Sequence, residues 1–301
     1  MAKAKKIEQS ESQAHAHSFL KAAVREFKRD KIAMISFFFL VIVVFGVFIG
    51  SMFIPRDAFS NVDIMDTNLA PFTNGHILGT DDGGRDEFLL VVIAARNSLS
   101  ISIPVTIVIM AVGIFLGLMS AYYGGFFDWI WMRITDYLSI VPTLMILLTL
   151  LTIINNYSIW TLVWVISLFS WIGSMRFFRA LTFAERENDY VKASKLSGSS
   201  SLAIMWKQIF PNLSSQFYAQ TALAFAGNIG LETGISYLGY GLPYTTPSLG
   251  TLVNKATDPE VMTQSPWMWL PASFLILALS VSLIFIGQAL RRVADQRQSL
   301  A

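Results

Sequence analysis

Long runs without a charged residue alternate with short charged segments along this chain, and the runs are too long to be core helices of an ordinary soluble domain. Ile32 to Ile54 is 23 residues without a charge, enough to cross a hydrocarbon core of ~30 Å as a helix. Its basic leader and long apolar run fit an uncleaved signal anchor, since the apolar region of a cleaved signal peptide spans only ~7–15 residues. A second uncharged stretch, Asn97 to Phe127, has its apolar heart at 98–122. Tyr137 to Met175 is 39 residues long and interrupted by Asn155-Asn156. It predicts two helices, 137–154 and 157–175, joined by a tight turn. Leu213 to Tyr240, whose only ionisable residue is Glu232, and Trp267 to Leu290 complete the set. The pattern predicts an all-α polytopic membrane protein with six transmembrane helices.

Composition supports lipid as the solvent: 54% of the 301 residues are hydrophobic, 14% are charged, and the mean hydropathy is +0.54. A soluble domain carries about 25% charged residues. The net charge of +2 gives no reason to expect a nucleic-acid partner, but its distribution orients the chain. Six crossings put both tails on one side. That side carries 18 Lys and Arg, in the two tails and the 121–136 and 176–212 connections, against four (Arg56, Arg85, Arg96 and Lys255) on the other. The positive-inside rule then places both termini and the 176–212 loop in the cytoplasm. Trp267 and Trp269 are expected at the outer boundary, and Trp129 and Trp131 at the inner one. Pairs of Gly four apart at Gly46/Gly50, Gly113/Gly117 and Gly230/Gly234 offer places where helices can approach closely.

Covalent chemistry has no footing in the sequence. There is no Gly-Lys-Ser/Thr phosphate loop, no cysteine, and no Gly-x-Ser-x-Gly nucleophile. The three histidines (His15, His17, His76) lie in a polar tail and an outer loop. No metal and no cofactor are expected in this chain. Glu232 is the one acid well inside an apolar run. Because no Lys, Arg or His accompanies it in the neighbouring spans, it reads as a structural group that holds Gly230–Gly241 in shape through hydrogen bonds. An ion pathway, in an ion-coupled secondary transporter, is the competing reading.

The richest segment is the 176–212 loop. Glu185 and Asp189 stand one turn apart, Asp189 can pair with Lys192, and Gly198 suits the left-handed end of a first short helix. Ser199 to Ser201 supply an N-cap for a second, which Pro211 is expected to stop before span five. The residues alone leave two readings, a surface for a partner protein or a solvated amphipathic loop.

Here the sequence resembles the signature of bacterial ATP-binding-cassette importer permeases: Glu-Ala-Ala, three residues, Gly, nine residues, then Ile-x-Leu-Pro. It stands as Lys192-Ala193-Ser194, Gly198 and Gln208-Ile209-Phe210-Pro211. Gly and Pro keep their spacing, while Lys192, Ser194 and Gln208 depart from it. Leu78-Gly-Thr-Asp-Asp-Gly-Gly-Arg-Asp86, followed by Arg96-Asn-Ser-Leu99, resembles the core entry of the C-type subunit of oligopeptide and dipeptide permeases. Tyr122-Tyr-Gly-Gly125, Asp128, Asp136, Pro142, Arg176/Arg179, Asp189-Tyr190-Val191, Pro211-Asn212 and Glu232 to Gly241 continue the match in order.

The resemblance implies a type I importer fold that moves oligopeptides or dipeptides inward. This chain would pair with a second, related permease. Two cytoplasmic ATPases would grip a coupling loop comprising Glu185, Asp189, Tyr190, Val191, Lys192, Ala193, Ser194, Gly198, Ser199 and Pro211, and an external peptide-binding protein would dock opposite. ATP and Mg belong to the ATPases. Related permeases carry nickel or glutathione, which stays an alternative cargo. The expected organisation is a tail (1–31), a first helix (32–54), an outer loop (55–97), a five-helix core with the 176–212 loop (98–290), and a tail (291–301), in a bacterial plasma membrane.

Overall fold

The computed structural model describes residues 24–55, 62–154, 158–243 and 245–298. The described chain is helical, and its only β pairing is two isolated bridges, Thr73 with His76 and Thr80 with Asp86. Helix α1 (Lys31–Gly50) is started by the Asp30 carboxylate, which accepts from the amides of Ile32 and Ala33 at 3.0 and 3.1 Å. This N-cap satisfies donors that the helix itself leaves free. Residues 51–54, expected in the span, form turns. Helix α2 (Glu87–Tyr123) is 37 residues long, or about 55 Å at the α-helical rise. It begins 11 residues before the expected 98, capped by Asp86, because Leu90, Ile93 and Ala94 continue its buried face past the charged Arg96.

Helices α3 (Gly125–Ile140) and α4 (Thr143–Ile153) meet at 77°. The break therefore falls at Val141-Pro142, inside the expected 137–154 helix. Proline removes a backbone donor and pushes the residue before it out of helical geometry, and Val141 is extended at φ −86°, ψ 130°. The expected turn at Asn155-Asn156 lies outside the described residues. Helix α5 (Ile159–Glu185) starts with a Ser158/Thr161 capping box and runs ten residues beyond the expected 175.

Two short helices, α6 (Asp189–Leu196) and α7 (Ser201–Ile204), follow. A π turn (Met205–Ile209) and one helical turn (Phe210–Asn212) lead into α8 (Ser214–Ile235). A second π turn (Ser236–Tyr240) ends it. Then come α9 (Leu249–Asn254), α10 (Pro259–Gln264) and α11 (Leu270–Gln298). Trp267 and Trp269 precede α11, and Trp129 and Trp131 lie on α3.

Helical units stand at all six expected places, but not all qualify as crossings alone. Among the described residues, α1, α2, α5 and the 270–293 part of α11 are long and apolar enough, with a fifth if the bent α3–α4 pair makes one crossing. Helix α8 is long enough at 22 residues but carries Gln216, Gln220, Asn228 and Glu232.

Two apolar cores organise the bundle. One gathers Val105, Ile109 and Leu118 of α2 with Leu147 and Leu151 of α4, Ile166 and Phe178 of α5, and Leu242. The other gathers Val47 of α1, Leu90 and Leu99 of α2, Ile229 of α8, Leu249 and Leu252 of α9, and Leu279 of α11. Helix α2 serves both, changing core near Pro104, where the Thr106 hydroxyl bonds the Ser102 carbonyl at 2.7 Å. Of the three glycine pairs, only Gly113/Gly117 lies against a neighbouring helix. A Cβ on Gly117 would meet the Met175 carbonyl oxygen at 2.8 Å and the Arg179 amide nitrogen at 3.0 Å, whereas Gly46, Gly50, Gly230 and Gly234 face open space.

Candidate functional site

The loop between α5 and α8 is fastened to the bundle from beneath. Arg179 on α5 makes a two-pronged pair with Asp128 on α3, Nε to Oδ1 at 2.5 Å and Nη2 to Oδ2 at 2.6 Å, and the Ser120 hydroxyl of α2 donates to the same carboxylate. Such fork geometry is the strongest form of charge-assisted hydrogen bonding. Arg176 pairs with Asp136 at 2.9 Å. Arg186 donates from Nη1 to the Ala121 carbonyl at 2.5 Å, and the Arg179 and Arg186 guanidinium groups each lie 4.5 Å from the Phe183 ring centre. The ends of α2, α3 and α5 thus form one block.

On that block the loop builds a small core of its own. Val191 of α6, Ile204 of α7, Ile209 and Leu213 are all buried, backed by Tyr122 of α2 and Leu181 of α5. Tyr190 donates its hydroxyl to Glu185 Oε1 at 2.7 Å, stapling α6 to the end of α5. Burial holds the Tyr190 phenol well above its usual pKa, and the Glu185 carboxylate adds to the rise, so the donor stays protonated at any physiological pH. Gly198 ends α6 at φ +80°. The Ser199 amide reaches back to the Ser194 carbonyl at 3.1 Å, the bond that closes a Schellman motif. Ser200, from the expected Ser199–Ser201 group, caps α7.

Two expectations change. Asp189 and Lys192 make no ion pair with each other among the described residues, and both are exposed. Pro211 does not stop the second helix. The preceding π turn has moved the bonding pattern, with the Phe210 amide on the Met205 carbonyl, so proline enters where a donor is not needed and the path continues helically into α8. The exposed face carries Lys192, Ala193, Gly198 and Ser199, with Ser194 half-buried. It also carries Leu196, 90% exposed, and Leu202. These two leucines were not singled out from the sequence. Apolar residues flanking Gly198 in an otherwise polar segment were the available signal. The elbow formed by these two short helices has a well-packed underside and a mixed, exposed top.

At the opposite end, the 62–86 segment is locked to the connection before α11. Asp81 is fully buried and accepts from Arg85 Nε at 2.9 Å and Lys255 Nζ at 3.0 Å, while Trp267 Nε1 donates to the Thr80 carbonyl at 3.1 Å. Burial alone would raise the Asp81 pKa, but Lys255 and Arg85 outweigh it and hold the carboxyl below the usual value of 3.8. A lowered folded pKa contributes stability above the unfolded pKa, and that stability is lost as pH falls through the folded one. Lys255→Met should therefore move release of this segment to higher pH. Trp267 emission, read against a Trp267→Phe reference, should change at a higher pH than in the parent. An unshifted transition would mean that Lys255 does not hold Asp81.

Glu232 lies on α8 near this end, 1% exposed, its Oε1 accepting from the Ser236 hydroxyl at 2.8 Å and its Oε2 buried without a hydrogen-bond partner among the described residues. Among the described residues no Lys, Arg or His comes within ion-pair distance of it, and no three His, Asp or Glu side chains are placed to hold a metal ion.

The chain matches two family models. One, described as the binding-protein-dependent transport system inner membrane component, covers residues 113–299, and the other, the N-terminal TM domain of oligopeptide transport permease C, covers residues 18–71. The chain is 52% identical over 282 residues to the oligopeptide transport system permease protein OppC of Lactococcus lactis subsp. lactis, covering 94% of this chain and 96% of that one. It is 30% identical to AmiD of Streptococcus pneumoniae over 94% and 92% of the two chains, and 28% identical to OppC of Bacillus subtilis over 93% and 90%. With two family models matched and a relative 52% identical over nearly the whole of both chains, the chain belongs to the inner-membrane components of binding-protein-dependent transporters, as a C-type oligopeptide permease subunit.

Proposed function

We propose that this subunit forms part of the path by which oligopeptides enter the cytoplasm, in an importer driven by ATP hydrolysis on separate subunits. A second, related permease completes the path, an external peptide-binding protein delivers cargo, and two ATPases holding ATP and Mg dock on the elbow of α6 and α7. Both termini and the elbow face the cytoplasm. The observation that carries this reading is the construction of the elbow: its own core, bolted to α2 and α5 and continuous with α8, presents an exposed face made to be pushed. Its basic surroundings support the orientation.

The chain has no cysteine, so a single one at the exposed Ser199 reports cleanly. In the assembled complex it should cross-link to a cysteine in the facing groove of an ATPase subunit with a yield that changes with nucleotide. It should resist an impermeant thiol reagent in intact cells and react in inverted vesicles, while a cysteine at Asn74 should show the reverse. Labelling of Ser199→Cys in intact cells would reverse the topology, and a nucleotide-blind absence of cross-link would remove the docking assignment.

A further inference from the structure

The connection between α8 and α11 does not stay on the surface. Between Ser236 and Asn254 it turns back into the bundle, where Leu242 joins the first core and Leu249 and Leu252 join the second. One segment therefore fills the seam between the two cores. Its seat is polar. The Leu249 amide donates to Ser98 Oγ on α2 at 3.0 Å, and Asn97 Nδ2 donates to the Pro247 carbonyl at 2.8 Å. Ser248, which caps α9, donates its hydroxyl to Ser236 Oγ at 3.3 Å. Ser236 in turn donates to Glu232 Oε1. Gly241 and Gly250 both press on Ser236 so closely that a Cβ on either would collide with it.

Glu232 sits at the meeting point. A chain of hydroxyls runs from the cap of α9 to one buried carboxyl: Ser248 donates to Ser236 of the π turn, and Ser236 donates to Glu232 Oε1, while Oε2 is buried without a partner among the described residues. A buried acid costs free energy unless its polar atoms are engaged, so the carboxyl and its hydroxyls hold or release one another together. The joint it pins is a π turn containing Gly239 at φ +87°.

We propose that Glu232 is the positioning residue that seats Leu242 and the 247–254 stretch across the seam and so closes the permease at the end opposite the docking elbow. The transport reading enters only through the second of two readouts.

The first readout is a cysteine pair at Tyr237 and Asn254, where the Asn254 side chain reaches the Tyr237 carbonyl at 2.6 Å. In the full complex this pair should cross-link efficiently, several-fold less with Glu232→Ala, and efficiently again with Glu232→Gln, because the amide keeps hydrogen-bonding atoms at the same reach. The second readout is ATP hydrolysis by the reconstituted complex without peptide, which should rise several-fold in Glu232→Ala and return to the parent level in Glu232→Gln. Should Glu232→Ala fail to assemble, Ser248→Ala removes a partner on the segment itself and should lower the cross-link in an intact complex. A native cross-link in assembled Glu232→Ala, or in Ser248→Ala if only that assembles, overturns the proposal. Since the cross-link does not depend on cargo, a complex with the expected cross-links but no response to oligopeptides would fault the cargo reading and leave the seat standing.

Discussion

Replacing Gly117 with leucine should prevent the permease from accumulating as a stable complex. The most extensive helix pairing in the structure is α2 against α5, and it is close because Gly113 and Gly117 present no side chain there. A Cβ at Gly117 already meets backbone atoms of Met175 and Arg179 and the Phe178 Cβ, all at 3.0 Å or less. Backbone cannot rotate away as a side-chain tip can, so the helices must separate. Overpacking costs about 1–3 kcal/mol and occasionally more, a large share of the stability of a typical domain. Separation would also pull Arg179 from Asp128, leaving a charge pair poorly satisfied in a partly buried place. Gly46→Leu, at an open position, is the matched control. Detergent-resistant complex and its thermal midpoint should fall sharply for Gly117→Leu and little for Gly46→Leu, and equal behaviour of the two would refute the close-approach argument.

Gly198→Val should leave a complex that hydrolyses ATP but no longer transports in proportion. Nothing lies within 4 Å of a Cβ placed there, so the effect comes from the backbone alone. At φ +80° a β-branched residue is disfavoured by about 2 kcal/mol, a factor of roughly 30 in population. The small core around Val191 and Ile204 holds each short helix in place, so the strain is relieved by changing the angle between them. Gly198→Asn is the control, because asparagine tolerates the left-handed region. Peptide uptake per ATP hydrolysed, measured in proteoliposomes, should drop for valine and stay near the parent value for asparagine. If both variants transport normally, the angle at Gly198 is not what couples the subunits.

What could be read from the chain was what depends on neighbours in sequence. The Gly198 stop, the serine cap of α7 and the apolar run of α1 are set by local backbone preference and by composition. Pro142 was as local a signal as Asn155-Asn156, but it sits within an apolar run whose length argued for continuity, and the bend passed unnoticed. The ends of α2 and α5 were set too short for a different reason. Arg96, Arg176 and Arg179 look like ends of an apolar segment, yet the latter two continue the helix because Asp136 and Asp128 await them 40 and 51 residues away. Such pairings, like the return of Leu249 beside Ser98, follow from tertiary proximity, which no local pattern encodes. Glu232 was legible as an oddity within an apolar run, but its bond to Ser236 and that serine's link to Ser248 were not.

The polarity of α8 has a consequence for how the protein is made. A helix delivered from the ribosome to the bilayer settles by its own apolarity, and polar side chains along it disfavour this. Helix α1 has no such obstacle. Helix α8 carries Gln216, Asn228 and Glu232, all buried against neighbours in the finished bundle, with Asn228 donating to Thr106 of α2 at 2.8 Å. Its partners are α2, synthesised earlier, and α11, synthesised later. The polar face of α8 is thus covered in full only once a helix made before it and a helix made after it have both packed against it, so its place in the membrane is completed by assembly as well as by apolarity.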